Sequence, residues 1–416
     1  MTHRRSRKRQ GWLVGMLAGL LGLGGCLSPV TMHRAVIEYD KTNSHLEAEL
    51  LLLNIARSRH FHPIHFTTIA SIAATFEFEA NTGLSRAFVQ SPGADTLSLT
   101  MNSRVAEKPT VTIVPIQGEE FTSRILTPFD ESKLAFLFQQ GVEPAILFRL
   151  MAREIDLFGY GESATLRNSP HLKKEYVEFR RRVLHLSSLN LAHSLYVGPI
   201  IYKDEVPVFI GREPATGDMM RGLDKILDAL DKGHRWIAAS DNDPFILTRK
   251  VVGRIVITNY DPNKLTNEER RSLNREAQGY PRNAVLVDIR PDKPGGDYPL
   301  HGVIVLRGFN AIMRFLALGI AADPEFHVDK DKRTGEIPRS PPWTIAIEET
   351  KSRPSDEDAA FAVEYEGLWY SIRKARQEEG VIAPWNQEAF RVLSQLYQMT
   401  VTDVSKVPTP AITIAK

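Results

Sequence analysis

Three histidines, His60, His62 and His65, fall within six residues and have the chemistry to hold a metal. Pro63 breaks any helical spacing among them and no Cys or acid completes the set nearby, so they read as ordinary residues at a helix end. Asp329 and Asp331 ahead of Gly335 have the spacing that begins a calcium loop, but the alternating ligands stop there and no Glu follows at the required distance. Tyr365, Trp369 and Tyr370 are rings that could stack on a sugar; Tyr365 and Trp369 are the candidate ligand platform, against the plainer reading that aromatics at hairpin spacing fill a core. Glu119 and Glu120 are too generic a pair to name as acid and base. The run Arg180-Arg181-Arg182 reads as a solvated helix face, with a lipid-phosphate or peptidoglycan contact as the functional alternative. The chain has no G-x-S-x-G turn and no phosphate loop, and Gly295-Gly296 follow Pro294 in a turn rather than a strand. No catalytic residue, metal or cofactor is expected from these sets, and none of them supports an enzyme.

Composition bounds the elements that would carry such groups. With 416 residues, 43% of them hydrophobic, and 52 Lys+Arg against 50 Asp+Glu, the chain is globular, which excludes disorder, collagen and a disulfide scaffold. A formal charge of +2 is too small for a nucleic-acid footprint, so nucleic acid is not an expected partner. That charge is uneven: Arg4, Arg5, Arg7, Lys8 and Arg9 precede a charge-free stretch from Gly11 to Gly25 rich in Leu and Gly. This is the n-region and h-region of an export signal. Fifteen residues at about 1.5 Å each reach roughly 22 Å, short of the ~30 Å hydrocarbon core, which disfavours a permanent transmembrane helix.

The stretch ends in Leu23-Gly24-Gly25-Cys26, and Cys26 is the only cysteine in the chain. This segment resembles the lipobox of bacterial lipoproteins. The resemblance implies a signal peptide over 1–25, cleavage before Cys26, a diacylglycerol on its thiol and an acyl group on the new amine. Leu27 stands where many inner-membrane lipoproteins have Asp, so the resemblance implies the outer membrane, facing the periplasm. A single lipidated cysteine can form no internal disulfide, so stability must come from a packed core. Without the five basic leader residues and with the amine acylated, the formal charge falls from +2 to −3.

The expected fold class is α+β: a long N-terminal helix with a long β-hairpin, then a helical hairpin and a mixed α+β domain. Boundaries are expected at 26–128, 129–200 and 201–416. Val36, Tyr39, Leu46, Leu50 and Leu53, widened by Leu51, Leu52 and Ile55, predict an amphipathic helix over 32–59. Period-two alternation predicts a strand over 66–80, a second from Leu97 to Val105 and a third over 110–114. Strands this long exceed the usual five or six residues and suit either of two readings. One is a hairpin lying on its own core; the other is a hairpin from each subunit of an oligomer, inserted in a shared barrel with Glu77 and Glu79 facing the lumen.

Asp130, Gly141, Pro144 and Gly159 predict helices over 130–140 and 144–158, and Ser169-Pro170 opens a basic helix to Ala192. In the second half, an amphipathic helix runs from Met219 to Leu230, and Thr266 with Glu269 forms a capping-box start. Strands are expected over 251–258, 284–289 and 302–306, with an apolar helix over 309–318. The segment 321–342 reads as an exposed loop. A meander follows over 343–348, 361–365 and 368–372, then a helix capped by Asn386 and a final strand over 411–414.

Several blocks together are similar to a family of bacterial lipoproteins that carries no assigned activity. They are Glu49-Leu50-Leu51-Leu52-Leu53-Asn54-Ile55-Ala56-Arg57, Pro63 to Phe78, Pro109 to Phe121, Leu126-Thr127-Pro128, Val363 to Ile372 and Leu393-Ser394-Gln395-Leu396. The reading that follows is a membrane-anchored structural or assembly subunit of a cell-envelope complex. Its partners are the membrane, through the acyl chains on Cys26, other envelope proteins and further copies of the chain. The alternative is a lipid-anchored periplasmic hydrolase or glycan-binding protein acting on the cell wall.

Overall fold

The computed structural model describes residues 27–87, 96–207, 216–237, 246–374 and 383–400. Leu23, Gly24, Gly25 and Cys26, and the strand expected over 411–414, lie outside them. The fold is α+β. The chain divides into two units: Ile64–Gly118 group with the residues up to Asn54, and Ile55–Pro63 with Glu119–Val401.

In the first unit, helix α1 (Leu27–Arg59) precedes a two-stranded antiparallel sheet, β1 (Phe66–Ala87) with β2 (Thr96–Ile116). The buried stripe of α1 runs through Leu51 and Leu52, while Val36 is exposed. Asn54 fixes the chain reversal after the helix: its amide nitrogen donates to the carbonyls of Leu50 and His65, both at 2.9 Å, and its oxygen accepts from the His65 N–H at 2.8 Å. The third strand expected over 110–114 is instead the far half of β2, which continues through Pro109 opposite Ala74. A proline is tolerated in an edge strand, and in a two-stranded sheet both strands are edges. A bulge between Ile69 and Ser71 shifts the register by one residue.

The second unit opens with α2 (Glu119–Leu126), α3 (Glu131–Gln139) and α4 (Pro144–Met151). Asp130 caps α3 by accepting from the Ser132 and Lys133 N–H groups, and Pro144 sits in the first turn of α4, as the sequence predicts. The second helix of that pair was expected to reach Phe158. It ends at Met151, and the chain turns straight into β3 (Ala152–Leu157), because alternating Ile155 and Leu157 are claimed by strand pairing. After β4 (Ala164–Arg167) come α5 (Lys173–Leu191), β5 (Tyr196–Pro207), α6 (Thr216–Asp231), β6 (Arg235–Ile237) and β7 (Ile246–Thr258). Then follow α7 (Asn267–Gln278), β8 (Ala284–Ile289), β9 (Leu300–Leu306) and α8 (Phe309–Ala321). The capping box of Thr266 and Glu269 starts α7 as expected.

The large sheet runs β4-β3-β9-β8-β7-β5 with β6 on β7, antiparallel except for β7 beside β8. Because β3 pairs with β9, segment 129–200 does not stand apart from 201–416; the two share one sheet. Ile200, Val256, Leu286 and Val303 on one face pack against Leu273 and Ala277 of α7. Val285, Val287 and Ile304 alternate to the opposite face and are fully buried. A small sheet, β10 (Ile347–Thr350), β12 (Leu368–Arg373) and β11 (Ala359–Tyr365), precedes α9 (Ala383–Gln398). Asn386 lies within α9 and does not cap it. Its side chain accepts from the Ala346 N–H at 2.7 Å and donates to the carbonyls of Ala346 and Arg373.

A buried ionic cluster joins these parts. Arg149 of α4 donates to Glu325 Oε1 at 3.2 Å, Thr344 Oγ1 at 3.0 Å and the carbonyls of Pro341 and Pro342. Arg180 of α5 reaches Glu325 at 3.6 Å and donates to the Tyr176 hydroxyl at 2.7 Å, which in turn donates to Glu325 at 2.8 Å. Thr344 donates to the same carboxylate through both its N–H and its hydroxyl. Burial pushes the Glu325 pKa up, but the two guanidiniums and the Thr344 and Tyr176 hydrogen bonds outweigh it and hold the group below the ordinary carboxylate value. Arg149 is pushed down to about 10 by burial and by the charge of Arg180.

Two sequence readings are corrected here. Arg180 and Arg182 are 0% and 2% exposed, so the arginine run is not a solvated face; only Arg181, paired with Glu178, reaches solvent. The helix is buried around most of its circumference; Arg180 donates through its two Nη atoms to the Tyr176 hydroxyl and the Pro341 and Pro342 carbonyls, and Arg182 to the Pro299 carbonyl and Glu162, while the Nε of each has no partner among the described residues. The segment 321–342 is irregular, yet it is not simply exposed, because Glu325, Val328 and Thr334 are buried. Arg182 and Arg333 hold it down by stacking on the Tyr298 ring at 3.7 and 3.9 Å.

Replacing Glu325 by Ala strands two buried cations. The expected loss is about 3–5 kcal/mol of unfolding free energy in urea titration, with a smaller loss for Glu325→Gln, which keeps an acceptor.

Candidate functional site

The residues singled out by sequence do not assemble into one site. Tyr365 pairs with Leu368 and Trp369 with Glu364, so alternation places the two rings on opposite faces of the β11–β12 hairpin, and they form no common platform. The turn between them holds Glu366 at φ 51° and Gly367 at φ 74°, the geometry of a two-residue hairpin loop. Tyr365 and Tyr370 meet the histidines instead: His62 Nδ1 lies 2.6 Å from the Tyr365 hydroxyl, and His60 Nε2 lies 2.7 Å from that of Tyr370. Tyr370 also donates to Glu349 at 3.0 Å, and Trp369 lies under Arg353 at 5.5 Å. Among the described residues no group of three or more His, Cys, Asp or Glu side chains is placed to hold a metal. Asp331 binds Arg333 through its backbone N–H and guanidinium, and Glu120 pairs with Arg124 one turn along α2.

The polar side chains that do converge stand at one end of the large sheet. Asp288 of β8 and His301 of β9 are direct cross-strand partners. They lie on the face that α7 covers, where Glu269, Ser272 and Glu276 descend along one side of that helix. His301 Nδ1 is 3.1 Å from Asp288 Oδ1, and its Nε2 is 2.8 Å from Glu276 Oε1. On the far oxygen, Asp288 Oδ2 accepts from the Tyr260 hydroxyl at 2.6 Å and from Arg290 Nε at 2.7 Å. The Arg290 guanidinium stacks on the Tyr260 ring at 4.4 Å.

These contacts set the charges. The hydrogen bond to Asp288 raises the His301 pKa; burial opposes it, and the charges of Glu276 and Asp288 add to the rise. With a carboxylate on each nitrogen, the protonated ring can donate from both sides. Burial works to raise the Asp288 pKa, but the bonds from His301, Tyr260 and Arg290 prevail and hold it below the usual carboxylate range. Tyr260 is pushed well above its ordinary value by burial and by the Asp288 charge.

The group borders an open cleft of about 380 Å³. Of the nearby aromatic rings, Tyr160 lines it. Phe158 meets His301 edge-on at 5.1 Å and stacks on Tyr280 at 5.8 Å, while Tyr160 meets His301 edge-on at 6.3 Å. Phe158 and Tyr160 are 40% and 48% exposed. Between them the backbone runs close enough to His301 that a Cβ at Gly159 would stand 2.5 Å from the imidazole Cβ. Tyr160 itself is held at φ 56°, the left-handed region that a tyrosine adopts at a cost.

The arrangement suits binding better than catalysis. Both nitrogens of His301 are engaged, so it offers no lone pair to activate Ser272, which is exposed on α7. Asp288, Glu276 and Glu269 against Arg290 and His301 leave one net negative charge. A second cavity, of about 330 Å³, is lined by Phe315, Leu316, Ile320, Trp343 and Ile347 beside Glu325, whose oxygens are already taken by the buried cluster.

Sequence reasoning passed over Asp288 and His301. The available signal was one charged residue ending the apolar strand 284–289 and one histidine at the start of another, but nothing along the chain says that the two are opposite in register. No family model matches the chain, and neither the curated proteins nor the solved structures contain a significant match.

The pH dependence follows from the two directions. The raised His301 pKa gives stability that is fully present below its ordinary value of 6.5 and lost as pH rises through the folded value; the lowered Asp288 pKa gives stability present above 3.8 and lost on acidification. Urea midpoints measured from pH 5.5 to 9 are expected to fall with rising pH in the native protein relative to His301→Gln. Parallel curves would refute the contribution of the His301 bonds to Asp288 and Glu276.

Proposed function

We propose that the chain is a lipid-anchored protein of the bacterial envelope, held at the outer membrane facing the periplasm and serving as a structural or assembly subunit of an envelope complex. The observation that carries this reading is the placement of the only cysteine directly after Leu23-Gly24-Gly25, at the end of a basic leader and a charge-free segment. Two or three acyl chains on Cys26, at about 0.8 kcal/mol per buried methylene, anchor a protein far more firmly than one chain does. The charges of Glu325 and Asp288 are balanced by partners within the second unit, which suits a scaffold more than a reaction centre.

The His301 cleft favours a second reading, a glycan-binding role. The exposed ring of Tyr160 beside Glu269 and Glu276 in the lining supplies the groups that recognise a sugar: a face for its C–H surface and acceptors for its hydroxyls.

Each reading has its own test. Cys26→Ser is expected to abolish incorporation of labelled palmitate and to release the protein from membranes on carbonate washing; retained label would end the lipoprotein reading. Tyr160→Ala is expected to weaken retention on purified peptidoglycan about fivefold, since one lost stacking contact is worth on the order of 1 kcal/mol. Unchanged retention would remove the glycan-binding role.

A further inference from the structure

The hairpin of β1 and β2 has two unlike faces. By register, Phe78 stands opposite Val105, Thr82 opposite Met101 and Leu84 opposite Leu99 on one face. Glu77, Glu79, Asn81, Asn102, Arg104 and Lys108 occupy the other. The first face carries Glu107, opposite Phe76, at one level and Arg86 at another. Between them, over residues 77–85 of β1 and 98–106 of β2, that face holds no charge. Nine residues per strand is the length that crosses a hydrocarbon core when strands tilt by about 45°.

Among the described residues this sheet contains two strands and no third, so each strand has one row of backbone groups without a sheet partner. A lone hairpin of this kind is marginal in water and excluded from lipid, where every N–H and C=O must be paired. Identical hairpins from other copies satisfy both edges at once, since the free edge of β1 in one copy can pair with the free edge of β2 in the next. Closure removes the last edge.

We propose that the hairpins of four or more copies pair edge to edge into one transmembrane β-barrel, the face of Phe78 and Leu84 toward lipid and the face of Glu79 and Arg104 toward an aqueous lumen. Two strands per copy make the strand number even, and eight strands is the lower limit of such barrels. The inference rests on the envelope reading above and adds the partner: further copies of this chain. The remainder of the hairpin, from Phe66 to Phe76 of β1, stands outside the bilayer.

The test uses the full-length lipidated protein extracted in mild detergent. Light scattering is expected to give at least four chains per particle, and planar bilayers are expected to show discrete conductance steps. Leu84→Asp with Leu99→Asp, which charges the lipid face, is expected to abolish both while leaving the thermal transition of the second unit in place. Asn81→Asp with Asn102→Asp, on the lumen face, is expected to keep the oligomer and shift permeation toward cations. A monomer in detergent, or an oligomer whose size and conductance ignore Leu84→Asp with Leu99→Asp, overturns the barrel. An acylated monomer sinks the barrel and spares the lipoprotein reading; a conducting oligomer without acyl label does the reverse.

Discussion

The Glu325 carboxylate is the contact on which the second unit depends. It comes from an irregular segment, enters the space between α4 and α5, and neutralises Arg149 and Arg180, which have left water completely. Neither guanidinium could stay there without it, and neither the Pro341-Pro342 carbonyls nor Thr344 would lie where they do. Thr344 passes the constraint on, since its carbonyl accepts from Trp385 of α9 at 3.2 Å and Trp385 lies 5.6 Å from the Arg149 guanidinium. Helices, loop and C-terminal helix are thus fixed by one charge balance. The pair formed by Glu131 and Arg254, at 2.7 Å, does the same for α3 against β7.

The same logic at the sheet end produces a different outcome. Asp288 and His301 are as firmly satisfied as the buried cluster, but Glu276, Tyr160 and Phe158 reach solvent, and the ionic group therefore lines a cleft rather than a core. Rigidity on one side and exposed rings on the other are what a recognition site requires. Beside the strained φ of Tyr160, Gly159 lets the chain pass close to His301, and Gly161 continues the turn at φ 80°.

The hairpin stands in contrast to both. Its strands are four times the usual length and pair with each other alone among the described residues. Among the described residues its outer edges carry two rows of backbone donors and acceptors with no sheet partner.

The local chemistry of the chain was legible without coordinates. The α+β class, the capping by Asp130 and Thr266, the strand 284–289 and the alternating hairpin all follow from turn chemistry and periodicity, which act over a few residues. The basic leader and Cys26 are likewise matters of sequence alone. Three things were decided by tertiary structure: the turn of 152–157 into a strand, the burial of Arg180 and Arg182, and the meeting of Asp288 with His301. Each depends on a partner far away in sequence. Pairing with β9 overrode the helical reading of 152–157, and Glu325, some 145 residues beyond Arg180, made a buried arginine tolerable. The Tyr365–Trp369 platform failed for a related reason: a two-residue turn sets which residues face each other, and that register put the rings on opposite sides of the sheet.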